Sequence, residues 1–200
     1  MSVFISTPPK IKKNNLIIWL NNNYNFLNKK KLILKKLESE RDKNFLLICN
    51  NKERYVLKIS NTFESKKILD LQDYVLSTLN KRSSIKKIIP KKIHQSIKLY
   101  LDENNCPCFV RILSYVKGSL FANSIHSKEL ERSLGSYIGI LSKELQNLGH
   151  EAAFRTFEWD PSSIGWINNY LNLFKSKQKK IIKKNLYVYE KFINKNINNL

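Results

Sequence analysis

The feature that most constrains this chain is a change of hydrophobic period between Lys31 and Ser114. Apolar residues first come in short strand-like runs, then at helical spacing, then in short runs again. Lys31 to Leu37 contributes Leu32, Leu34 and Leu37, and Phe45-Leu46-Leu47-Ile48-Cys49 is a denser strand. Asn50-Asn51-Lys52-Glu53 has turn chemistry. Arg54 to Ile59 alternates, with Tyr55, Leu57 and Ile59 on one face and Val56 and Lys58 on the other. Leu69, Gln72, Val75, Leu76 and Leu79 then follow at helical spacing to a helix end near Asn80. Ser60-Asn61-Thr62 offers caps for that helix, with Glu64 in capping-box position to Asn61. Pro90 opens an extended stretch, in which Ile97–Leu101 and Cys108–Ser114 predict two strands joined by the turn Asp102-Glu103-Asn104-Asn105. The order is β-β-β-α-β-β.

The second half is helical. Leu130, Leu134, Ile138, Leu141, Leu145 and Leu148 form one apolar stripe, capped by Ser127 and stopped by Gly149. A loop from His150 to Asp160 precedes helices expected at Pro161–Phe174 and Ile181–Ile193. Three segments follow from this pattern: a polar arm with a short helix around Leu16–Phe26 (1–29), a sheet lobe (30–116) and a helical region (117–200).

A hydrophobic content of 42% supports a packed core and excludes a disordered chain. The net charge of +20 would suit polyanions, but the lysines are dispersed and no aromatic–basic interleaving is present, which argues against a nucleic-acid module. Cys49, Cys106 and Cys108 make no disulfide framework, and the Cys106-Pro107-Cys108 spacing is not a zinc-ligand pattern; they read as reduced thiols. Leu16-Ile17-Ile18-Trp19-Leu20 is too short to span a bilayer and no signal-peptide core precedes it, so a cytoplasmic protein with no membrane partner is expected.

A sheet with one helix after its third strand, followed by helices, is the element order of the kinase-like fold, an α+β architecture. Phosphoryl transfer asks the protein mainly for positioning and charge neutralisation, and a lysine on the third strand serves the phosphates. Lys58 stands there, flanked by Leu57 and Ile59 and followed by a capped helix; a lysine in a strand is otherwise an ordinary solvated charge. The turn Ser39-Glu40-Arg41-Asp42-Lys43-Asn44-Phe45 has no glycine, so it reads either as a plain hairpin turn or as backbone N–H groups cradling phosphate beside Arg41.

That turn, together with Tyr55-Val56-Leu57-Lys58-Ile59-Ser60-Asn61, resembles the hydroxylysine kinase-like branch of the aminoglycoside phosphotransferase family. Leu69-Asp70-Leu71-Gln72, Val110 to Gly118, Leu134 to Gly139, His150 to Arg155 and Phe157-Glu158-Trp159-Asp160 continue the resemblance in order. It implies an ATP-dependent transfer of the γ-phosphate to a hydroxyl of a small amino-alcohol such as 5-hydroxylysine, with Mg²⁺. By the same resemblance Lys58 contacts the phosphates, Ser39, Arg41 and Asn44 belong to the loop over them, and Ser114, Tyr115 and Val116 present backbone groups to adenine. The carboxylate that pairs with the lysine in many relatives falls near Gln72, leaving Asp70 and Glu64 as nearby acids. Arg155, Trp159 and Asp160 would help shape the substrate side, with Trp159 reading equally as a plain core residue.

The family's His-x-Asp catalytic loop, with its Asn and later Asp for Mg²⁺, has no counterpart. His94 precedes Gln95-Ser96, His126 precedes Ser127-Lys128 and His150 precedes Glu151-Ala152. The expectation is therefore a chain truncated before its catalytic loop, without catalytic residues or metal ligands, with a separately encoded remainder of the helical lobe as a candidate partner. A non-catalytic nucleotide-binding remnant of the fold is the alternative. An exposed stripe at Leu134, Ile138 and Leu141 is a further expectation.

Overall fold

The computed structural model describes residues 6–81, 84–154 and 160–194. The chain divides into two compact units, Met1–Ala152 and Ala153–Leu200. The first holds helix α1 (Lys13–Asn23), strands β1 (Leu32–Leu37), β2 (Lys43–Cys49) and β3 (Glu53–Ile59), helix α2 (Lys66–Lys81), strands β4 (Lys98–Leu101) and β5 (Pro107–Ser114), and helix α3 (Lys128–Leu145). The sheet is five-stranded in the order β1-β2-β3-β5-β4, with every neighbouring pair antiparallel.

Local chemistry explains most of the register. Asn50 and Asn51 both adopt positive φ (49° and 62°), the backbone a tight β2–β3 hairpin requires, and asparagine tolerates it at low cost. The Asp102 carboxylate accepts N–H bonds from Asn104 and Cys106 at 2.9 and 3.0 Å, fixing the β4–β5 turn. The Ser127 Oγ accepts from the Leu130 N–H at 3.2 Å, so the expected cap of α3 is present, although this helix ends at Leu145, short of Gly149.

Helix α2 starts later than its sequence suggests. Its cap is Ser65, whose Oγ accepts from the Ile68 N–H at 3.3 Å. Asn61 instead closes a local turn by accepting from the Phe63 N–H at 2.9 Å, so the capping box expected of Asn61 and Glu64 does not form. Asn and Ser compete for such turns before any helix begins, and here the turn at Asn61 won.

The two sheet faces differ sharply. Leu32, Leu34, Phe45, Leu47, Leu57, Ile59, Val110 and Ile112 alternate onto one face and are buried with Leu16, Leu20, Tyr24 and Leu27. The segment read as a polar arm therefore supplies one side of the main core. Helix α1 has 11 residues, no side-chain cap and no acid in its first turn, so burial rather than local propensity sustains it. Trp19 adds edge-on contacts to Tyr24 and Tyr100, with ring centroids 5.9 and 5.3 Å apart.

A smaller core joins Leu79, Ile85 and Ile89 to Tyr137, Leu141 and Leu145 of α3. Leu141 is thus partly covered, while Leu134 and Ile138 stay 38% and 52% exposed. In the second unit the helix expected at Pro161–Phe174 is present as a 3₁₀-helix, Pro161–Leu173. Asn168 donates its side-chain amide to the Gly165 carbonyl at 3.2 Å, a three-residue link that competes with α-helical pairing. Helix α4 (Ser176–Val188) begins five residues before the expected Ile181 and passes into a π-helical turn, Tyr189–Ile193. No helix among the described residues is long and apolar enough to cross a membrane.

Because Leu20 is 0% exposed, Leu20→Ala is expected to lower unfolding stability by about 2–5 kcal/mol. A urea midpoint that does not move would mean that α1 is peripheral. Thiol alkylation of the native chain should modify partly exposed Cys106 first and spare buried Cys49 and Cys108, because burial also pushes the Cys108 thiol up to about 12.

Candidate functional site

The face opposite the main core carries polar residues at three aligned positions. Register places Asn44 of β2 directly across from Lys58 of β3, and Lys58 directly across from Arg111 of β5. The next row on this face is Leu46, Val56 and Leu113. Leu46 and Val56 are half-buried, an apolar surface beside a line of nitrogen-bearing side chains. Helix α2 covers part of the face, and a cavity of about 390 Å³ lies beside Lys58, lined by Leu71, Gln72, Val75, Leu76, Arg111 and Leu113.

Arg111 holds α2 to the sheet. It is 5% exposed, its Nη1 meets Asp73 Oδ1 at 3.1 Å, and its Nη2 donates to Gln72 Oε1. Asp73 receives a second cation, Lys92 Nζ, at 2.7 Å. A buried guanidinium without such partners would carry a large desolvation cost. Gln72, the residue standing where a lysine-pairing carboxylate was sought, therefore binds Arg111. Asp70 pairs with Lys66 one turn earlier at 3.2 Å, and Glu64 accepts from the Ser65 N–H at 2.9 Å.

The Lys58 ammonium is ion-paired with Asp42 Oδ2 at 3.9 Å. Burial pushes its pKa below the ordinary lysine value; Asp42 opposes that shift and Arg111 adds to it. Among the described residues the ammonium donates no hydrogen bond, so its three N–H groups are available to an incoming acceptor.

The β1–β2 loop is ordered without glycine. The other oxygen of Asp42 accepts from the Asn61 N–H at 3.0 Å. Asn61 is 1% exposed, and its side-chain amide donates to the Thr7 and Arg41 carbonyls at 3.0 and 3.2 Å. Asn44 Nδ2 donates to Ser39 Oγ at 3.1 Å, which leaves the Ser39 hydroxyl hydrogen free to seek an acceptor. Asn44 Oδ1 is buried with no hydrogen-bond partner among the described residues. Arg41 lies in the same loop, its Nη1 3.4 Å from Glu40.

At the far end of β5 the segment Ser114–Val116 divides. The Ser114 N–H donates to the Lys91 carbonyl at 2.7 Å, and its Oγ accepts from the Lys91 N–H at 2.8 Å. The Ser114 amide expected to meet adenine is thus engaged with the 91–92 segment, which bridges to β5 at Leu113. Tyr115 and Val116 make no backbone hydrogen bond to another described residue. Arg155 and Trp159 lie outside the described residues; Asp160 belongs to the second unit.

The roles of Asp42, Asp73 and Arg111 were not singled out from sequence. One signal was present: Arg111 interrupts the apolar run Cys108–Leu113, and a charge inside a buried strand demands a partner. The partner's position, 38 residues earlier in the chain, was not readable.

Asn61→Ala removes two hydrogen bonds donated and one accepted by a buried amide and is expected to cost about 2–4 kcal/mol. Hydrogen exchange should rise first at residues 39–44; unchanged exchange there would separate Asn61 from the loop's order.

No family model and no curated protein matches the chain. Among solved structures it is similar to a microcompartment-associated aminopropanol kinase, with a TM-score of 0.54 and 14% identity over 76% of this chain. The chain spans 46% of the length of that kinase. At this identity the likeness is one of fold, and the chain accordingly has a kinase-like α+β fold built on a five-stranded antiparallel sheet.

Proposed function

We propose that this chain is the nucleotide-binding part of a small-molecule kinase, with ATP held on the sheet face that carries Lys58. The observation that carries the reading is the placement of Lys58: a half-buried ammonium with unused N–H donors, on the third strand of a kinase-like sheet. Phosphate offers acceptors only, so donors are what the site must supply, and Lys58 and the Ser39 hydroxyl fit that need. Leu46 and Val56 offer a flat apolar surface one row away, and Tyr115 and Val116 offer backbone groups for the base's polar edge. Arg41 would add charge above the phosphates, and Asn44 would hold the loop through Ser39.

The acceptor we infer is a hydroxyl of a small amino-alcohol. The solved kinase of similar fold is an aminopropanol kinase, and the sequence resembles the hydroxylysine kinase-like branch, so 5-hydroxylysine is the first candidate. Mg²⁺ would accompany the triphosphate and screen its charge. The Asn and Asp that hold it in the resembled family have no counterpart in these 200 residues. None of the three histidines is followed by x-Asp, so a general base at that position is absent from these 200 residues. The chain is therefore expected to bind nucleotide without turnover. A cytoplasmic setting suits such a function.

Calorimetric titration with ATP should show binding to wild type and a loss of about 10- to 100-fold in Lys58→Ala, the worth of one charge-assisted phosphate contact. Equal affinities would remove Lys58 from the site. With ATP, Mg²⁺ and 5-hydroxylysine the chain should release no ADP above background; clear turnover would overturn the non-catalytic part of the reading.

A further inference from the structure

Resting on the nucleotide reading of the same site, we propose that Asp42 is a built-in counter-ion to Lys58, a fixed loop carboxylate that pairs loosely with the ammonium until a nucleotide's phosphates take over that pairing. In this arrangement the lysine's acidic partner comes from the β1–β2 loop rather than from helix α2. The acids of α2 are committed elsewhere: Asp70 to Lys66, and Asp73 to Arg111 and Lys92.

Asp42 is fixed at one oxygen and loose at the other. Oδ1 accepts from the backbone N–H of Asn61, whose side chain is itself tied to the Thr7 and Arg41 carbonyls. The carboxylate therefore cannot rotate away without losing that bond. Oδ2 stands 3.9 Å from Lys58 Nζ, close enough to balance charge and too far to use an N–H donor. Phosphate oxygens that approach to hydrogen-bonding distance replace a loose pair by a tight one. The fixed carboxylate then faces the phosphates as a like charge, and this repulsion sets how tightly they are held. Arg111 stands beside the lysine, but its guanidinium already donates to Asp73 and Gln72.

Asp42→Asn keeps the acceptor for the Asn61 N–H and the side-chain shape while removing the charge. Its ATP affinity should rise about three- to tenfold, that of ADP by less, and that of adenosine not at all. In the Lys58→Ala background the gain should shrink, because no ion pair is left to release and only the repulsion remains. Asp42→Ser, which retains a short oxygen acceptor, provides a second reading should the first variant fold poorly. If Lys58→Ala weakens ATP binding while both Asp42 variants leave it unchanged or weaken it, the counter-ion role is overturned and the nucleotide site stands. A gain that is equal for adenosine also overturns it. If wild type binds no ATP, or Lys58→Ala matches it, the nucleotide reading fails and the counter-ion role with it.

Discussion

The contact between Arg111 and Asp73 decides where the rest of the candidate site can be. Arg111 is embedded in β5 with almost no solvent exposure, so its charge must be balanced from within. The balance comes from the middle of α2, through Asp73 and Gln72. The helix is thereby held over part of the open sheet face, with Lys58 directly across the register from the buried guanidinium. Burying an ion pair is not in itself a strong source of stability, but separating one is costly. The contact thus selects one placement of α2 over others with similar apolar packing. It also uses the α2 acid nearest the site, which leaves Lys58 to the carboxylate of a loop.

The β1–β2 loop is ordered without glycine. Glycine permits close backbone approach by removing side chains. Here a buried asparagine takes the opposite route, fastening the loop from below with its amide while its own backbone N–H receives Asp42. The loop is ordered by hydrogen bonds to a residue at the end of β3, the strand that carries Lys58. Loop and lysine therefore share one foundation, which favours a fixed distance between them.

Legibility from sequence was uneven for physical reasons. Strands β2, β3 and β5 were readable because alternating or dense apolar runs flanked by turn residues admit few other structures; their observed ends differ by one or two residues. The role of α1 was not readable. Leu16 to Leu20 is a continuous apolar run that shows no face by itself, and only packing revealed that Leu16 and Leu20 are buried while Ile18 is 60% exposed. The 3₁₀ geometry of Pro161–Leu173 was equally hidden, since Asn168 had two possible hydrogen-bonding habits and its spacing favoured neither. At the site, Lys58 was singled out by strand order, flanking residues and the family resemblance, whereas Asp42, which meets it, was not.

Sequence by itself determined the order of elements, the two faces of β3 and the side of the sheet on which Lys58 stands, because a two-residue period leaves no freedom about which residues share a face. It also determined that no His-x-Asp occurs in these 200 residues. Tertiary structure alone decided that α1 closes the core, that Arg111 takes Asp73 and Gln72, and that Asp42 meets Lys58. Those pairings join residues 16 to 39 positions apart, or an entire helix to a sheet. No local propensity spans such distances; they follow from which buried charges must be neutralised once the apolar faces have been brought together.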